Sequence, residues 1–428
     1  MKFNRPHQTY LIGILLFLGL IGLIVFVFPA RGNDQPQSIA GIEGTPFYFP
    51  IIRKDPTPTP TFTPTPAPVP QFVSNIPTDN ARCPGAAGFN PIGGHVYIMN
   101  EYSSNVNVFH NRQWVGTVNI PPTWPEDPAG SWPIALAADN NSADVYVAAI
   151  HGGTARINGV NLVSMGERYY EPRGVAFNPV NNYVYVPDLD RAIQVFNGST
   201  LVQNVVFDMN PAWDAWFIDA VVDPNTGYVY TAGAEGIMYV IDGTTVIGSH
   251  RLGTRVIDMA IDPARGYIYA AHYEKNAQYQ NNISVFHIPT QTVTMFNTAT
   301  HSRQIAVDPQ TGLAYITNPG PFDDPERGSD SVTVMTGTTV HFNATVGDFP
   351  WGVAVNPNTG DAFVTNRRDN TVTVFRRGAI IATIPVQGKE PYAVTVDTNT
   401  NDVYVANRGR EYITPWGQCD NASVTILR

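Results

Sequence analysis

The stretch that decides the fold is residues 351–366, which read WGVAVNPNTGDAFVTN. A short apolar segment leads into a turn of the type Asn-Pro-Asn-Thr-Gly, and a second apolar segment begins with an aromatic residue. Proline fixes φ in such a turn and glycine tolerates a positive φ, so two strands joined by a tight turn are predicted here. The Asx residue that opens the turn, Asn356, and the aromatic residue, Phe363, lie seven positions apart.

This Asx–aromatic pair recurs along the chain. There are eight copies with a mean period of about 44 residues: Asn90/Tyr97, Asp139/Tyr146, Asn178/Tyr185, Asp223/Tyr230, Asp262/Tyr269, Asp308/Tyr315, Asn356/Phe363 and Asp397/Tyr404. In the seventh unit four strands are predicted, over Val353–Val355, Asp361–Thr365, Thr371–Phe375 and Ile380–Pro385. Four strands in a repeat of roughly 40–50 residues are typical of a β-propeller. We therefore predict an all-β, eight-bladed β-propeller, with seven blades as the alternative.

The two ends of the repeat region complement each other. The eighth unit lacks a fourth strand after its third, Ala422–Leu427, while an unassigned strand-like segment, residues 72–77, precedes the first unit. Placing that segment in the last blade closes the ring and removes two exposed sheet edges. The two cysteines, Cys83 and Cys419, then fall on the same face of the ring, so we predict a disulfide between them; two unrelated free thiols are the alternative.

Three second-strand tetrads resemble the YVTN-family β-propeller repeat. They are residues 315–318 (YITN), 363–366 (FVTN) and 404–407 (YVAN), and residues 351–360 match the same repeat. The likeness extends from about residue 72 to the end of the chain and is strongest in the last two units. It implies a β-propeller in an exported, surface-associated protein, and it implies much less about chemistry.

The N-terminal region predicts export. Lys2 and Arg5 precede an uncharged apolar run, residues 11–28, which as a helix is just long enough to cross a bilayer. We interpret residues 1–29 as a hydrophobic helix serving as signal anchor, or alternatively as a cleaved signal peptide, with the rest of the chain outside. Residues 30–71 are a linker whose Pro/Thr-rich part, PTPTPTFTPTPAPVP at 56–70, forms a stiff stalk. The propeller then spans 72–428. This predicts an extracytoplasmic protein, either anchored to the membrane at the cell surface or secreted.

The amino-acid composition and net charge limit the fold class and the kinds of binding partner. The 428 residues include 36 Gly and 36 Pro and only 14% charged residues, with a net charge of −10. High glycine and proline with low charge suits many short strands joined by turns and does not suit a helical bundle. An acidic chain with no basic stripe argues against nucleic acid or anionic lipid as partner. Contact with the membrane is therefore expected through the N-terminal helix only.

The long loops and the blade-to-blade crossovers are predicted to share one face, the top face. Six of the seven tryptophans fall there: Trp124, Trp132, Trp213, Trp216, Trp351 and Trp416. They predict an aromatic surface that binds a glycan, a peptide or another cell-surface protein, unless they fold down and plug the blades. The residues that enter four of the innermost strands point toward the channel mouth: Arg173, Arg303, Trp351 and Tyr392. Two arginines beside aromatic rings suit a carboxylate or a sugar; pairing with Asp219 and Asp258 is the alternative.

Catalytic and metal sites are weakly indicated. His272, Glu274 and Asp188 are possible metal ligands, but their offsets do not repeat. The acidic segment 323–330 has oxygen ligands that suit Ca²⁺, although it is also readily explained as a solvated loop. The sequence contains no Cys-x-x-Cys-His, Gly-x-Ser-x-Gly or P-loop motif. We predict no cofactor, no metal and no catalytic residue, and keep a lactonase-like, metal-dependent hydrolase or lyase at the channel mouth as the alternative function.

Overall fold

The structure, a computed structural model, describes most of the chain from residue 68 onward and two short N-terminal segments. The described ranges are 10–14, 25–29, 68–78, 81–122, 130–166, 171–189, 191–207, 217–273, 282–299, 301–320, 329–412 and 418–428. The chain divides into two compact units, Met1–Pro66 and Ala67–Arg428.

In the first unit, the described residues form a two-stranded antiparallel sheet. Tyr10–Ile14 pairs with Val25–Pro29, with Ile12 opposite Val27. The structure therefore differs from the predicted hydrophobic helix at both segments, since β-branched and aromatic residues such as these favour strands. Within the described residues there is no helix of the length and apolarity needed to cross a membrane.

The second unit consists of eight four-stranded antiparallel sheets, the blades. From the innermost to the outermost strand they are: blade 1, Pro84–Asn90, His95–Asn100, Asn105–His110 and Gln113–Asn119; blade 2, Pro133–Ala138, Asp144–Ala149, Gly153–Asn158 and Asn161–Met165; blade 3, Ala176–Phe177, Tyr183–Pro187, Ala192–Asn197 and Thr200–Val206; blade 4, Phe217–Val222, Val229–Gly233, Ile237–Asp242 and Thr245–Arg251; blade 5, Val256–Asp262, Tyr267–His272, Ile283–His287 and Thr292–Phe296; blade 6, Ile305–Val307, Ala314–Asn318, Ser331–Thr336 and Thr339–Thr345; blade 7, Pro350–Asn356, Asp361–Asn366, Thr371–Arg376 and Ala379–Pro385; blade 8, Pro391–Asp397, Asp402–Asn407, Ser423–Leu427 and Phe72–Pro77. The predicted eight-bladed β-propeller is confirmed.

The ring closes through blade 8. Phe72–Pro77 pairs with Ser423–Leu427 as the outermost strand of blade 8, and the innermost strand of blade 8 packs against that of blade 1. Two short elements flank the junction: a 3₁₀ turn at Glu101–Ser103 in blade 1, and a two-stranded sheet of Arg410–Tyr412 with Gln418–Asp420 in blade 8. Cys83 and Cys419 form a disulfide across this junction, with their Cα atoms 5.1 Å apart.

The repeated Asx residue holds the turn after each innermost strand. Asn90 accepts the backbone N–H of Ile92 on Oδ1 at 2.9 Å, and Asp397 does the same for Asn399. The residue two positions further reaches the next blade: the Asn399 amide of blade 8 donates to the carbonyl of Pro91 in blade 1 at 2.8 Å. The turn motif therefore links each blade internally and, in several copies, to its neighbour.

The repeated tyrosine is fully buried and joins adjacent blades. The hydroxyl of Tyr97 accepts the N–H of Gly159, that of Tyr269 accepts the N–H of Gly337, and that of Tyr315 accepts the N–H of Gly378. Each of these glycines lies in the outer turn of the following blade, where its φ is positive (53° to 85°). One side chain thereby fills the space between two blades and satisfies a backbone donor.

Removing one such hydroxyl tests this link. Tyr315→Phe is expected to lower the free energy of unfolding by about 1–3 kcal/mol, because the Gly378 N–H loses its acceptor. Tyr230 is the matched control, since it is 2% exposed and its hydroxyl has no hydrogen bond to the described residues. Tyr230→Phe is therefore expected to cost less than about 0.5 kcal/mol. Urea unfolding of the two variants measures the difference, and equal losses would contradict the assignment.

Candidate ligand-binding site in the central cavity

The innermost strands of the eight blades surround a central cavity of about 560 Å³. Residues from every blade line it, among them Gly85, Ile134, Gly174, Ile218 and Ile257. This volume lies in the range of small-molecule pockets, roughly 300–1,000 Å³. Three arginines and three carboxyl groups are also among its lining residues.

The four residues predicted at the starts of the innermost strands all line this cavity: Arg173 from blade 3, Arg303 from blade 6, Trp351 from blade 7 and Tyr392 from blade 8. The structure therefore brings them together, and their binding role stays a prediction. The other three predicted site residues, Trp213, Trp216 and Trp416, lie outside the described residues.

Three aromatic rings form a row on one side of the cavity, and guanidinium groups pack against them. The Trp351 and Tyr392 ring centroids lie 5.0 Å apart, and Phe349 stacks on Trp351 at 5.4 Å. The guanidinium carbon of Arg303 lies 4.3 Å from the Trp351 ring centroid. Such a cation–π contact gains about 0.5–1 kcal/mol at an exposed position and more when water is excluded. We name Arg303, Phe349, Trp351 and Tyr392, together with Arg367 and Arg408, the aromatic–arginine cluster.

Arg367 and Arg408 were not predicted from the sequence. The Arg367 guanidinium lies 5.4 Å from the Tyr392 ring centroid and the Arg408 guanidinium 4.6 Å from it. Arg367 forms an ion pair with Glu390 at 2.8 Å, and Arg408 forms one with Glu101 at 3.0 Å. The sequence contains a pattern that could have identified these two arginines. Each directly follows the asparagine that ends the second strand of its blade, in Asn366-Arg367 and Asn407-Arg408.

Asp219 and Asp258 do not form salt bridges with Arg173 or Arg303, which was the alternative interpretation. Asp219 accepts the backbone N–H groups of Ala220 and Met259, each at 2.8 Å, and Asp258 accepts that of Ile305 at 2.7 Å. The bond from Met259 connects blade 4 to blade 5, and the bond from Ile305 connects blade 5 to blade 6. Arg173 instead pairs with Glu171 at 3.1 Å.

The two aspartates are poorly solvated, and this changes their charge. Desolvation raises the pKa of Asp219 to about 7, although its two backbone hydrogen bonds favour the ionised form. Desolvation and the neighbouring Asp219 raise the pKa of Asp258 well above its usual value, against the smaller effects of the Ile305 N–H and the Arg303 charge. Both side chains therefore carry less negative charge near neutral pH than ordinary aspartates do.

The two described residues that were considered as metal ligands, His272 and Asp188, have structural partners. His272 is 1% exposed, its Nδ1 lies 3.0 Å from the carbonyl of Thr254 and its Nε2 lies 2.8 Å from the hydroxyl of Ser284. Asp188 is buried and accepts the amide of Gln194 at 3.2 Å. Glu274 and residues 323–328 of the acidic segment lie outside the described residues. Within the described ranges no group of three or more His, Cys, Asp or Glu side chains is arranged to hold a metal ion.

The remaining described tryptophans lie away from the cavity lining. Trp132 packs edge-on against Tyr102, with ring centroids 5.1 Å apart, and against His151 at 5.2 Å, so it fills the junction of blades 1 and 2. Trp114 lies on the outermost strand of blade 1, is 41% exposed and donates its indole N–H to the carbonyl of Gly116.

The comparisons with known proteins support the architecture. The NHL repeat family matches residues 348–375, which lie mostly in blade 7. The crystal structure of the WD40 β-propeller domain of Doa1 aligns with 84% of this chain and 97% of its own, with a TM-score of 0.50 and 14% identity. A likeness at this identity shows the fold alone. The curated proteins contain no match to the chain. The protein is thus a β-propeller repeat protein.

Proposed function

We propose that this protein is an extracytoplasmic binding module that recognises a glycan, a peptide or a cell-surface protein through the top of its propeller. β-Propellers with NHL-type repeats are consistent with an interaction role, because a rigid ring presents one set of loops and strand ends to a partner. The resemblance to the YVTN repeat, the apolar N-terminal run and the Pro/Thr-rich segment support a position outside the membrane, tethered by the N-terminal segment. Trapping Cys83 and Cys419 as a disulfide in freshly lysed cells supports export, and trapping them as free thiols contradicts it.

The observation that carries the proposal is the aromatic–arginine cluster at the central cavity. Tryptophan, tyrosine and arginine dominate the energetics of protein interfaces, because they combine large contact area with directed polar groups. Here Trp351 and Tyr392 are only partly buried, and both face a cavity large enough for a small ligand or a projecting side chain. A ring that served packing alone would be expected to lie in the fully buried core.

The test is a glycan and peptide screen with the full-length protein. We expect Trp351→Ala to weaken binding of the best ligand at least tenfold, since a central aromatic anchor typically contributes about 2 kcal/mol or more. Trp114→Ala is the matched control, because Trp114 is exposed on the outer strand of blade 1. We expect it to leave binding unchanged. A ligand that binds equally well to Trp351→Ala, or that is lost from both variants alike, would refute the assignment.

A further inference from the structure

The central cavity gathers several arginines although the chain is acidic. Arg173, Arg255 and Arg303 line it, while the whole chain has a net charge of −10. Three carboxyl groups also line the cavity. Glu101 is neutralised by Arg408, and Asp219 and Asp258 accept backbone N–H groups at poorly solvated positions that favour the protonated form near neutral pH. Glu171 pairs with Arg173 in the same way, which leaves Arg303 as a cationic group that an anion can reach.

Arg303 is the arginine whose donors are most available. Its guanidinium rests on the Trp351 ring at 4.3 Å, and among the described residues it makes no side-chain hydrogen bond and has no carboxylate within salt-bridge distance. A guanidinium has five N–H donors in a fixed fork. Arg173, by contrast, pairs with Glu171. Arg303 thus presents donors to the cavity from a position that the aromatic ring already fixes.

The surroundings of Arg303 favour a carboxylate over a phosphate. A single planar guanidinium fork binds either group through two parallel N–H···O bonds. Tight binding of a phosphate group or a polyanion usually recruits several cationic groups at once, whereas the other arginines of the aromatic–arginine cluster, Arg367 and Arg408, are engaged by Glu390 and Glu101. Because Arg303 rests on one face of Trp351, that ring also holds the guanidinium in place.

We propose that the central cavity receives a carboxylate group of the ligand and that the Arg303 guanidinium binds it. This inference rests on the proposed binding function and narrows its ligand to an acidic one. A carboxylate reaches such a cavity either on an acidic sugar, such as a uronic acid, or as the free C-terminus of a peptide.

Calorimetric titration of the full-length protein with paired probes tests this. One pair is galacturonate and its uncharged methyl ester, and the other is an N-acetylated tripeptide with a free C-terminal carboxylate and its C-terminal amide. We expect the acid of at least one pair to bind at least tenfold more tightly than its neutral partner, and the pair that discriminates identifies the source of the carboxylate. Arg303→Gln should abolish this preference. Arg251→Gln, an exposed arginine on the outer strand of blade 4, should leave it intact.

The outcomes separate this inference from the broader function. If neither acid binds more tightly than its neutral partner, or if Arg303→Gln keeps the preference, the carboxylate site is refuted. If the screen yields a neutral ligand that depends on Trp351, the binding function survives and only the acidic specificity fails. If an acid binds through Arg303 but no ligand depends on Trp351, the carboxylate site stands. The role of Trp351 as the anchor of the proposed binding surface is then wrong.

Discussion

Replacing Cys83 by serine is expected to lower the free energy of unfolding of the propeller by as much as about 5 kcal/mol. The bond joins residues 336 positions apart. In the chain-entropy description a cross-link that closes so long a loop removes much of the freedom of the unfolded chain, which corresponds to about 5–6 kcal/mol as an upper limit. Cys83 and Cys419 are almost completely buried, at 0% and 4% exposure, so packing around the bond adds to its contribution.

Three variants and a reductant isolate the contribution of the disulfide. Cys83→Ser, Cys419→Ser and the double variant should unfold at the same urea midpoint, because each removes the same bond. Reducing the native protein should bring its midpoint to that of the variants, whereas the variants should not respond to reductant. A native protein whose midpoint is unchanged after both thiols have been freed would contradict the expectation.

The architecture was predictable because the repeat is encoded by residues with fixed local roles. An Asx-led turn followed by a buried aromatic residue recurs at the same offset, and that offset alone places two strands per blade. Closure of the ring could be inferred by counting strands at the two ends. The eighth unit lacks a fourth strand, and residues 72–77 form a strand that belongs to no other unit. Long-range pairing could be inferred here because a propeller leaves few other places for the strand Phe72–Pro77.

The side-chain partners were less predictable. Opposite charges at adjacent positions suggested that Arg173 and Arg303 pair with Asp219 and Asp258, but both carboxyl groups bind backbone N–H groups of the next blade instead. Whether each carboxyl group meets an arginine or a backbone N–H depends on the distance between neighbouring innermost strands. No local sequence pattern encodes that distance. The N-terminal run shows the same limit, because its β-branched and aromatic residues fit either a membrane helix or a strand.

The two aspartates of the cavity are expected to make the propeller less stable as the pH rises from about 4 to about 7. In the unfolded chain an aspartate loses its proton near pH 4, whereas the pKa of Asp219 is about 7 in the folded protein and that of Asp258 is also raised. Between these values the folded state binds more protons than the unfolded state, so the free energy of unfolding falls with increasing pH. At about 1.4 kcal/mol per pH unit, Asp219 alone accounts for a loss of up to about 4 kcal/mol.

Asp258→Asn isolates this effect, because one amide oxygen can still accept the Ile305 N–H that Asp258 Oδ2 accepts. Asp219→Asn is less suitable, since both oxygens of Asp219 accept N–H groups and an amide nitrogen would face a donor. Urea midpoints between pH 4 and pH 8 should fall less steeply for Asp258→Asn than for the native protein, and the variant should be the more stable of the two at pH 8. Asp242→Asn, at an exposed position in blade 4, should follow the native profile. Parallel profiles for the native protein and Asp258→Asn would show that this carboxyl group is ionised in the folded protein, where its negative charge would compete with a carboxylate ligand for Arg303.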